Sequence, residues 1–268
     1  MDTQSITISQ NPTLRTRELA IGYTRQNQVS VVQQHLNLEL HQGEMVCMIG
    51  PNGCGKSTLL RTLAGLQKSI SGTIFINGED LTTLTVQEKA ESLALTLTDK
   101  VDVDKMKVHE IVEMGRYPYT NRFGKLTDED RQIVANALEK VHLTEKTNRC
   151  LNELSDGERQ RAMIAKVLAQ ATPLLLFDEP TAHLDLPNRV AIMLLLSKLA
   201  KTTGVSILLS THELELAMQV SDKLWLMSDA GVDVGTTDEL IAQGSFERVF
   251  QSNLFSFDAV TRRFSVNK

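Results

Sequence analysis

One short segment of the sequence combines the residue types that proteins use to bind phosphate groups. Glycines let the backbone wrap closely around a phosphate with its N–H groups turned inward, and a helix that follows adds the positive end of its dipole. Within the segment, Lys56 can reach the β and γ phosphates of a nucleotide, and the Ser57 hydroxyl can bind Mg²⁺. The segment fits the pattern G-x-x-x-x-G-K-[ST] and consists of Gly50, Pro51, Asn52, Gly53, Cys54, Gly55, Lys56 and Ser57, followed by Thr58.

The alternative explanation for this segment is a glycine-rich turn that matches the pattern by chance. The neighbouring sequence argues against chance, because the apolar run from Met45 to Ile49 predicts a buried strand before the segment and residues 58–63 predict a helix after it. A strand, a loop and a helix in that order are the context that the pattern requires. Residues 50–58 are therefore predicted to bind a nucleotide.

Two adjacent carboxylates follow a second apolar run, Leu174 to Phe177. In parallel α/β sheets, ligands bind at the carboxyl ends of the strands, which is where Asp178 and Glu179 should lie. Asp178 can then hold Mg²⁺ through its water shell, and Glu179 can polarise an attacking water as a general base. Taken alone, the two acids are equally compatible with a surface loop, but the phosphate-binding segment earlier in the chain favours phosphoryl transfer.

The composition is that of an ordinary globular protein with a mildly acidic balance. The chain has 268 residues, of which 41% are hydrophobic and 23% charged, and its formal net charge is −5. This balance argues against a nucleic-acid partner bound through a broad basic surface. No apolar run reaches the roughly 18 residues of a membrane span, and residues 1–10 lack the basic residues of a signal peptide. Three cysteines without paired or metal-ligand spacing are typical of a reducing cytosol, so a soluble intracellular protein is predicted.

Apolar runs and turn residues predict strands that alternate with helices, and hence an α/β fold with a largely parallel sheet and helices on both faces. Leu36, Leu38 and Leu40 alternate with polar residues, which is typical of a half-exposed antiparallel strand, and residues 1–80 should contain an antiparallel β element. The stretch from about 98 to 154 lacks strong strand patterns and is a candidate helical insertion. Other strands are predicted over residues 71–78, 206–210 and 223–227, and other helices over residues 127–141, 155–170 and 188–203.

Several short segments resemble motifs of one protein family. Leu154 to Glu158 resembles the signature motif of ABC transporter ATP-binding subunits, with Asp156 and Glu158 in place of the commonest Gly and Gln. Ser155 and Glu158 also fit a helix capping box, which explains the same residues locally. Three more matches follow in family order: Tyr23, residues 182–185 and His212. Alone, Tyr23 would more often be a strand aromatic and His212 a capping or surface residue, but together the motifs identify the sequence as similar to this family.

The resemblance implies a fold with three parts. It is a P-loop NTPase core with a mostly parallel sheet, an N-terminal antiparallel β subdomain and an α-helical subdomain. Residues 1–268 are expected to form one ABC ATPase domain, in which residues 1–97 and 156–268 make the RecA-like core with the antiparallel β subdomain. Residues 98–155 make the helical subdomain and carry the signature motif at its end.

The resemblance also implies how the site residues act, with ATP and Mg²⁺ as cofactors. Two copies would face each other head to tail as a homodimer that encloses two ATP molecules. Tyr23 would stack on adenine, Glu179 would be the general base, and His212 would contact the γ-phosphate and orient Glu179. Asp185 would cross the dimer interface, and the signature motif would press against the γ-phosphate bound to the other copy, with Asp156 pointing away from it. The signature residues are Ser155, Asp156, Gly157 and Glu158.

Two positions depart from the family pattern or add to it. The family normally has a metal-contacting Gln at the position where the alignment of Ala94 and Leu95 places Thr98. The Thr98 hydroxyl has a shorter reach, and Asp99 could approach the metal instead. This departure keeps open a regulator that binds ATP but hydrolyses it slowly. Cys54, inside the phosphate-binding segment, is either a tolerated small residue or a thiol whose oxidation blocks ATP; an accessible thiol beside helix dipoles would have a lowered pKa.

One further element points to a branch of the family. Gly115-Arg116-Tyr117-Pro118 resembles the Gly-Arg-x-Pro element of importer ATPases for iron-siderophores, haem and cobalamin, although it also fits a helix-ending turn. The branch implies a transmembrane permease dimer as partner, an extracytoplasmic substrate-binding protein as indirect partner, and a location at the cytoplasmic face of the inner membrane. A soluble ABC ATPase acting in assembly or repair without a permease is the alternative function.

Overall fold

A computed structural model describes residues 11–26, 28–97, 105–120, 124–250 and 254–267 of the chain. The strands in these ranges are β1 (Leu14–Arg25), β2 (Gln28–Leu36), β3 (Glu39–Leu40), β4 (Met45–Ile49), β5 (Ser71–Ile76), β6 (Glu79–Asp80), β7 (Leu93–Thr96), β8 (Leu174–Asp178), β9 (Ser206–Ser210), β10 (Lys223–Ser228), β11 (Gly231–Gly235), β12 (Phe255–Asp258) and β13 (Arg263–Val266).

The helices lie between these strands, mostly in the second half of the chain. The α-helices are α1 (Lys56–Leu63), α2 (Val86–Ser92), α3 (Val108–Glu113), α4 (Asp128–Lys140), α5 (Asp156–Ala169), α6 (Leu186–Thr203), α7 (Leu214–Val220), α8 (Thr237–Ala242) and α9 (Ser245–Val249). Short 3₁₀ helices span Met114–Tyr119, Thr144–Lys146 and Leu151–Glu153. Among the described residues, no helix is both long enough and apolar enough to span a bilayer.

The central sheet has six strands in the order β11-β10-β4-β9-β8-β7. All neighbours pair in parallel except β11, which pairs antiparallel with β10 at the edge. Parallel strands need crossover connections, and helices supply them here. The strands predicted over residues 45–49, 174–177, 206–210 and 223–227 are all present in this sheet.

A second sheet, antiparallel throughout, is formed mainly by the first 80 residues. Its order is β2-β1-β5-β6, with β3 also paired to β1. The leucines at 36, 38 and 40 are buried as their alternation predicts, but they do not lie on one continuous strand. β2 ends at Leu36, and pairing with β1 resumes only at Glu39 and Leu40, so the predicted strand is interrupted.

Two apolar cores lie on opposite faces of the central sheet. Because side chains alternate along a strand, Met45, Cys47 and Ile49 of β4 face one core, while Val46 and Met48 face the other. The first core packs against the helices α3–α6, and the second packs against α1 and the antiparallel sheet. Burial on both faces explains why these strands are almost continuous apolar runs in the sequence.

A buried ion pair joins three parts of the helical region. Arg116 lies in the 3₁₀ helix Met114–Tyr119 and is 5% exposed. Its Nε atom is 2.9 Å from Oδ1 of Asp130 in α4, and its Nη1 donates to the carbonyl oxygen of Ala169 at the end of α5. The guanidinium also stacks on the Tyr119 ring, 4.0 Å from its centroid. The arginine of the Gly-Arg-x-Pro element therefore holds α4, α5 and the 3₁₀ helix together.

We predict that Arg116→Met destabilises the protein by about 3 kcal/mol, because it leaves the Asp130 carboxylate buried without its cation. Denaturant unfolding of the full chain followed by circular dichroism measures this loss. Arg131→Met is the control, since Arg131 pairs with Asp128 on the surface at 3.6 Å and such pairs contribute less than about 1 kcal/mol. Equal losses in the two variants would contradict a structural role for the buried pair.

Candidate functional site

The phosphate-binding segment connects β4 to α1 and needs glycine at particular points. Gly53 and Gly55 have φ angles of +85° and +105°, a region that L side chains rarely adopt. A Cβ atom on Gly55 would also lie 2.6 Å from Cγ1 of Val32, so neighbouring β2 leaves no room for a side chain there. The loop backbone is thereby curved as a phosphate-binding loop requires.

Lys56 begins α1 beneath this loop and is 7% exposed. Its ammonium group donates to the carbonyl oxygens of Gly50 at 2.8 Å and Pro51 at 3.1 Å. Among the described residues, no carboxylate forms an ion pair with it. A buried cation held by loop carbonyls is suited to bind an anion at the same loop, because phosphate oxygens are stronger acceptors than neutral carbonyls.

The carboxylate of Asp178 faces the start of α1 from the end of β8. Its Oδ1 atom accepts from the hydroxyl of Ser57 at 3.2 Å and from the hydroxyl of Ser210 at 2.6 Å. A hydroxyl and a carboxylate side by side are ligands that fit Mg²⁺, which binds few protein oxygens and keeps several waters or phosphate oxygens. Ser57 and Asp178 therefore fit the metal site that the sequence predicts.

Glu179 and His212 meet at the ends of two neighbouring strands. β8 and β9 pair with Asp178 opposite Ser210, so the residues that follow them lie side by side. Oε1 of Glu179 and Nε2 of His212 are 2.7 Å apart. Glu179 has a φ of +49°, in the left-handed region, and its N–H donates to the hydroxyl of Ser210 at 3.0 Å. The pair stands next to Asp178, as a base for phosphoryl transfer must.

Tyr23 of β1 lies beside the first turn of α1. Its hydroxyl is 2.7 Å from the hydroxyl of Thr58, and 44% of the residue remains exposed. The hydrogen bond holds the ring next to the phosphate-binding loop, and the exposure leaves the ring accessible to an aromatic base. Stacking of this kind contributes affinity with little base specificity.

The signature segment forms the start of α5. Ser155 caps the helix, its hydroxyl accepts from the N–H of Glu158, and the Glu158 carboxylate accepts from the N–H of Ser155. The predicted capping box is confirmed. Glu158 also forms an ion pair with Lys146, which is the main reason that the pKa of this carboxyl is lowered. Asp156 is largely exposed, and its Oδ1 lies 3.6 Å from Nη1 of Arg159.

The loop before α6 lies against the signature segment of the same chain. Asp185 caps α6, and its Oδ1 accepts from both the backbone N–H and the side-chain amide of Asn188. A Cβ atom on Gly157 would lie 2.2 Å from Oδ1 of Asn188, so the glycine permits this close approach. In the described parts of the chain, no hydrogen bond joins the signature segment or Asp185 to the phosphate-binding loop.

Two residues of the site were not predicted from the sequence. Ser210 bonds both Asp178 and the backbone of Glu179. Gln33, 4% exposed, donates its side-chain amide to the carbonyls of Cys54 at 3.1 Å and Ser228 at 2.7 Å, and so supports the phosphate-binding loop from β2. Neither residue belongs to a recognisable pattern, because their partners come from distant parts of the chain.

The chain is similar to a known protein family and to several of its members. A model of the ABC transporter family matches residues 33–182. The chain is 37% identical over 239 residues to the iron(3+)-hydroxamate import ATP-binding protein FhuC of Bacillus subtilis, covering 89% of this chain and 87% of that one. The chain belongs to the ABC transporter family. It is also 33% identical over 238 residues to the ferric enterobactin transport ATP-binding protein FepC of Escherichia coli, covering 88% of this chain and 86% of that one.

A solved structure of the family confirms the predicted fold class. The dimeric ATP-binding cassette MJ0796, in a post-hydrolysis state bound to ADP and Pi, aligns with a TM-score of 0.70 and 26% identity, covering 84% of this chain and 98% of that one. The predicted ABC-type ATPase with a P-loop NTPase fold is thus confirmed. The roles of the individual site residues remain predictions, as does the division at residues 97/98 and 155/156.

One expectation falls outside the described residues, and one of the two alternatives for Cys54 does not fit the structure. Thr98, the residue at the family's usual Gln position, is not among the described residues. Cys54 was considered as an accessible thiol with a lowered pKa, but it is 3% exposed. Burial raises the pKa of this thiol, and nearby Lys56 opposes the rise only in part. The small-residue explanation of Cys54 therefore fits the structure better than a redox role.

We predict that iodoacetamide at pH 8 labels Cys150 much faster than Cys54 or Cys47 in the native protein. Thiolate is the reactive form, and burial raises the pKa of Cys47 to about 12 and also raises that of Cys54, whereas Cys150 is partly exposed. Peptide mass spectrometry after timed labelling measures the three rates, with urea-unfolded protein as the control in which they converge. Equally fast native labelling of Cys54 would show that it is accessible.

Proposed function

We propose that the chain is the ATP-hydrolysing subunit of an importer that moves a metal chelate, such as an iron-siderophore, haem or cobalamin, through a membrane permease. The observation that carries the hydrolytic part is the contact between Glu179 and His212, 2.7 Å apart beside the Ser57–Asp178 pair. A carboxylate oriented by a histidine next to a phosphate-binding loop can activate water for attack on a γ-phosphate.

The proposed reaction uses ATP as substrate. Its phosphates bind against residues 50–57, and Lys56 exchanges the carbonyls of Gly50 and Pro51 for phosphate oxygens. Glu179 accepts a proton from the attacking water as the new bond to the γ-phosphorus forms, the bond between that phosphorus and the oxygen bridging to the β-phosphate breaks, and ADP and inorganic phosphate are released. His212 donates to the Glu179 carboxylate and keeps it aimed at the water. Mg²⁺, held by Ser57 and Asp178, would neutralise charge on the β and γ phosphates.

We propose that two copies assemble around the bound nucleotides. In an isologous dimer the same surface serves both copies, so the start of α5 in one copy can face the phosphates bound by the other. The capped helix start at Ser155 and Gly157 suits an anion, because free N–H groups and the helix dipole favour negative charge. Asp185, next to this surface, would lie at the same interface. The dimeric state of the MJ0796 cassette supports this arrangement.

The names of the relatives support a metal chelate as cargo. FhuC is named for iron(3+)-hydroxamate import and FepC for ferric enterobactin transport. The Gly-Arg-x-Pro element of the importer branch is present, and Arg116 in it has a defined structural role. The cargo itself would be selected by the permease and an extracytoplasmic substrate-binding protein, so this chain need not contact it.

An exposed apolar surface suits a helix of the permease. Val86 at the start of α2 is 87% exposed, and Tyr117 and Tyr119 are 59% and 37% exposed. The side chain of Gln87 donates to the carbonyl oxygen of Pro118, which joins the start of α2 to the 3₁₀ helix that carries the two tyrosines. We propose that this surface docks a cytoplasmic helix of the permease and so keeps the chain at the cytoplasmic face of the inner membrane.

We predict that Glu179→Gln binds ATP with nearly unchanged affinity but hydrolyses it at least about a hundredfold more slowly, because the amide cannot accept the proton. Phosphate release and equilibrium ATP binding measure the two effects. The ATP-bound dimer should accumulate in gel filtration. Glu247→Gln, at an exposed position of α9, is the matched control and should retain wild-type rates. Wild-type turnover in Glu179→Gln would remove Glu179 from the base position.

We predict that a tagged chain captured from detergent-solubilised membranes brings a multi-span permease with it. The double variant Val86→Ser, Tyr117→Ser should lose most of this partner, because it removes the apolar contact. Val266→Ser is the control, since Val266 lies on the β12–β13 hairpin and its exposure, 78%, falls between those of Val86 and Tyr117. Capture of soluble partners alone would favour the assembly or repair function. Loss of the permease from Val266→Ser as well would argue against this docking surface.

A further inference from the structure

An ion pair lies directly behind the Glu179–His212 contact. Glu213 is the residue after His212, and its Oε1 atom is 2.6 Å from Nη1 of Arg189 in the first turn of α6. The side chains are 34% exposed for Arg189 and 29% for Glu213. An ion pair that is partly removed from water is less screened than a surface pair, so its geometry is better maintained.

Arg189 is fixed by a second contact as well. Its Nε atom donates to the carbonyl oxygen of Leu184 at 2.7 Å, immediately before Asp185. Two bonds from different nitrogens of one planar guanidinium determine its orientation, which a lysine cannot reproduce. Arg189 therefore connects the backbone of the loop at residues 184–185 to the carboxylate that follows His212.

The backbone around His212 is held by several bonds, among them those from the N–H groups of Leu214 and Ala217 to the carbonyl oxygens of His212 and Glu213. Thr211 is 1% exposed, and its N–H donates to the carbonyl oxygen of Met48 in β4. The N–H of Glu213 donates to the Thr211 hydroxyl at 3.0 Å. Between these two anchored residues, the imidazole of His212 is 47% exposed and is not held by core packing. The backbone is thus anchored on both sides, whereas the direction of the exposed imidazole depends on the side chains beside it, including that of Glu213.

We propose that Arg189 and Glu213 are positioning residues that hold His212 against Glu179 and tie it to the loop at residues 184–185. This inference rests on the proposed function, in which Glu179 and His212 act on the attacking water. Because Asp185 is proposed to lie at the dimer interface, a shift of that loop on assembly would move Arg189 and, through Glu213, His212. The pair would make the hydrolytic geometry depend on contact with the second copy.

Glu213→Gln tests the proposal, because it removes the charge and keeps the size of the side chain. We expect kcat for ATP to fall about tenfold while KM stays within about twofold, since misplacing a positioned group slows chemistry without weakening substrate binding. Glu44→Gln is the matched control. Lys223 and Glu44, at the start of β10 and β4 and away from the site, form an ion pair of similar length, 2.8 Å, with side chains that are 32% and 19% exposed. It should leave kcat unchanged.

Two further measurements separate positioning from general stability. Arg189→Met should lower kcat as much as Glu213→Gln, and the double variant should fall no further, because the two residues act as one unit. In protein with ¹³C-labelled histidine, the His212 imidazole signal, assigned with His212→Ala, should shift in Glu213→Gln. The other five of the six histidines serve as internal references.

The possible outcomes distinguish this inference from the proposed function. Wild-type kcat in Glu213→Gln, or an equal loss in Glu44→Gln, would overturn the positioning role while the ATPase function stands. Additive losses in the double variant, or an unshifted His212 signal, would also overturn it. A wild-type chain whose turnover equals that of Glu179→Gln would overturn the proposed function and this inference together.

Discussion

Parallel pairing of β4, β9 and β8 is the constraint on which the site depends. In this arrangement all three strands end at the same edge, so the phosphate-binding loop, Asp178 and the segment before His212 converge without further connections. Ser210 strengthens the convergence, because its hydroxyl bonds the Asp178 carboxylate and the Glu179 backbone at once. Disrupting the pairing of these three strands would displace both the metal ligand Asp178 and the proposed base Glu179.

The site also contains backbone conformations that an unstrained chain avoids. Gly53 and Gly55 make the loop curvature possible at little cost, since glycine tolerates positive φ. Glu179 does not have that freedom, and its φ of +49° costs on the order of 1 kcal/mol or more. The N–H of Glu179 donates to both the carbonyl oxygen and the hydroxyl of Ser210, and these bonds hold it there. Strain at a residue with a proposed chemical role is consistent with a conformation kept for function.

How much the sequence reveals depends on the range of the interaction. The strands β4, β8, β9 and β10 of the central sheet, the loop and the capping box at Ser155 are local patterns and were predicted, whereas the edge strands β7 and β11 were not. Gln33 was not, because its partner Ser228 lies 195 residues away. The two alternatives for Cys54 stayed open for the same reason, since its burial comes from packing that no local pattern records. Motifs thus identify groups that do chemistry, whereas the residues that hold them require the fold.

The acidic signature shows how a departure from a family pattern can be accommodated. Replacing the usual Gly and Gln by Asp156 and Glu158 adds two negative charges where an anion is proposed to bind. Each acid has a basic neighbour, Arg159 for Asp156 and Lys146 for Glu158. The Lys146 pair is less exposed and lowers the pKa of Glu158, so this carboxylate is ionised and neutralised by its partner rather than by protonation. The local charge therefore stays close to that of an uncharged signature, and the N–H groups of α5 remain attractive to phosphate.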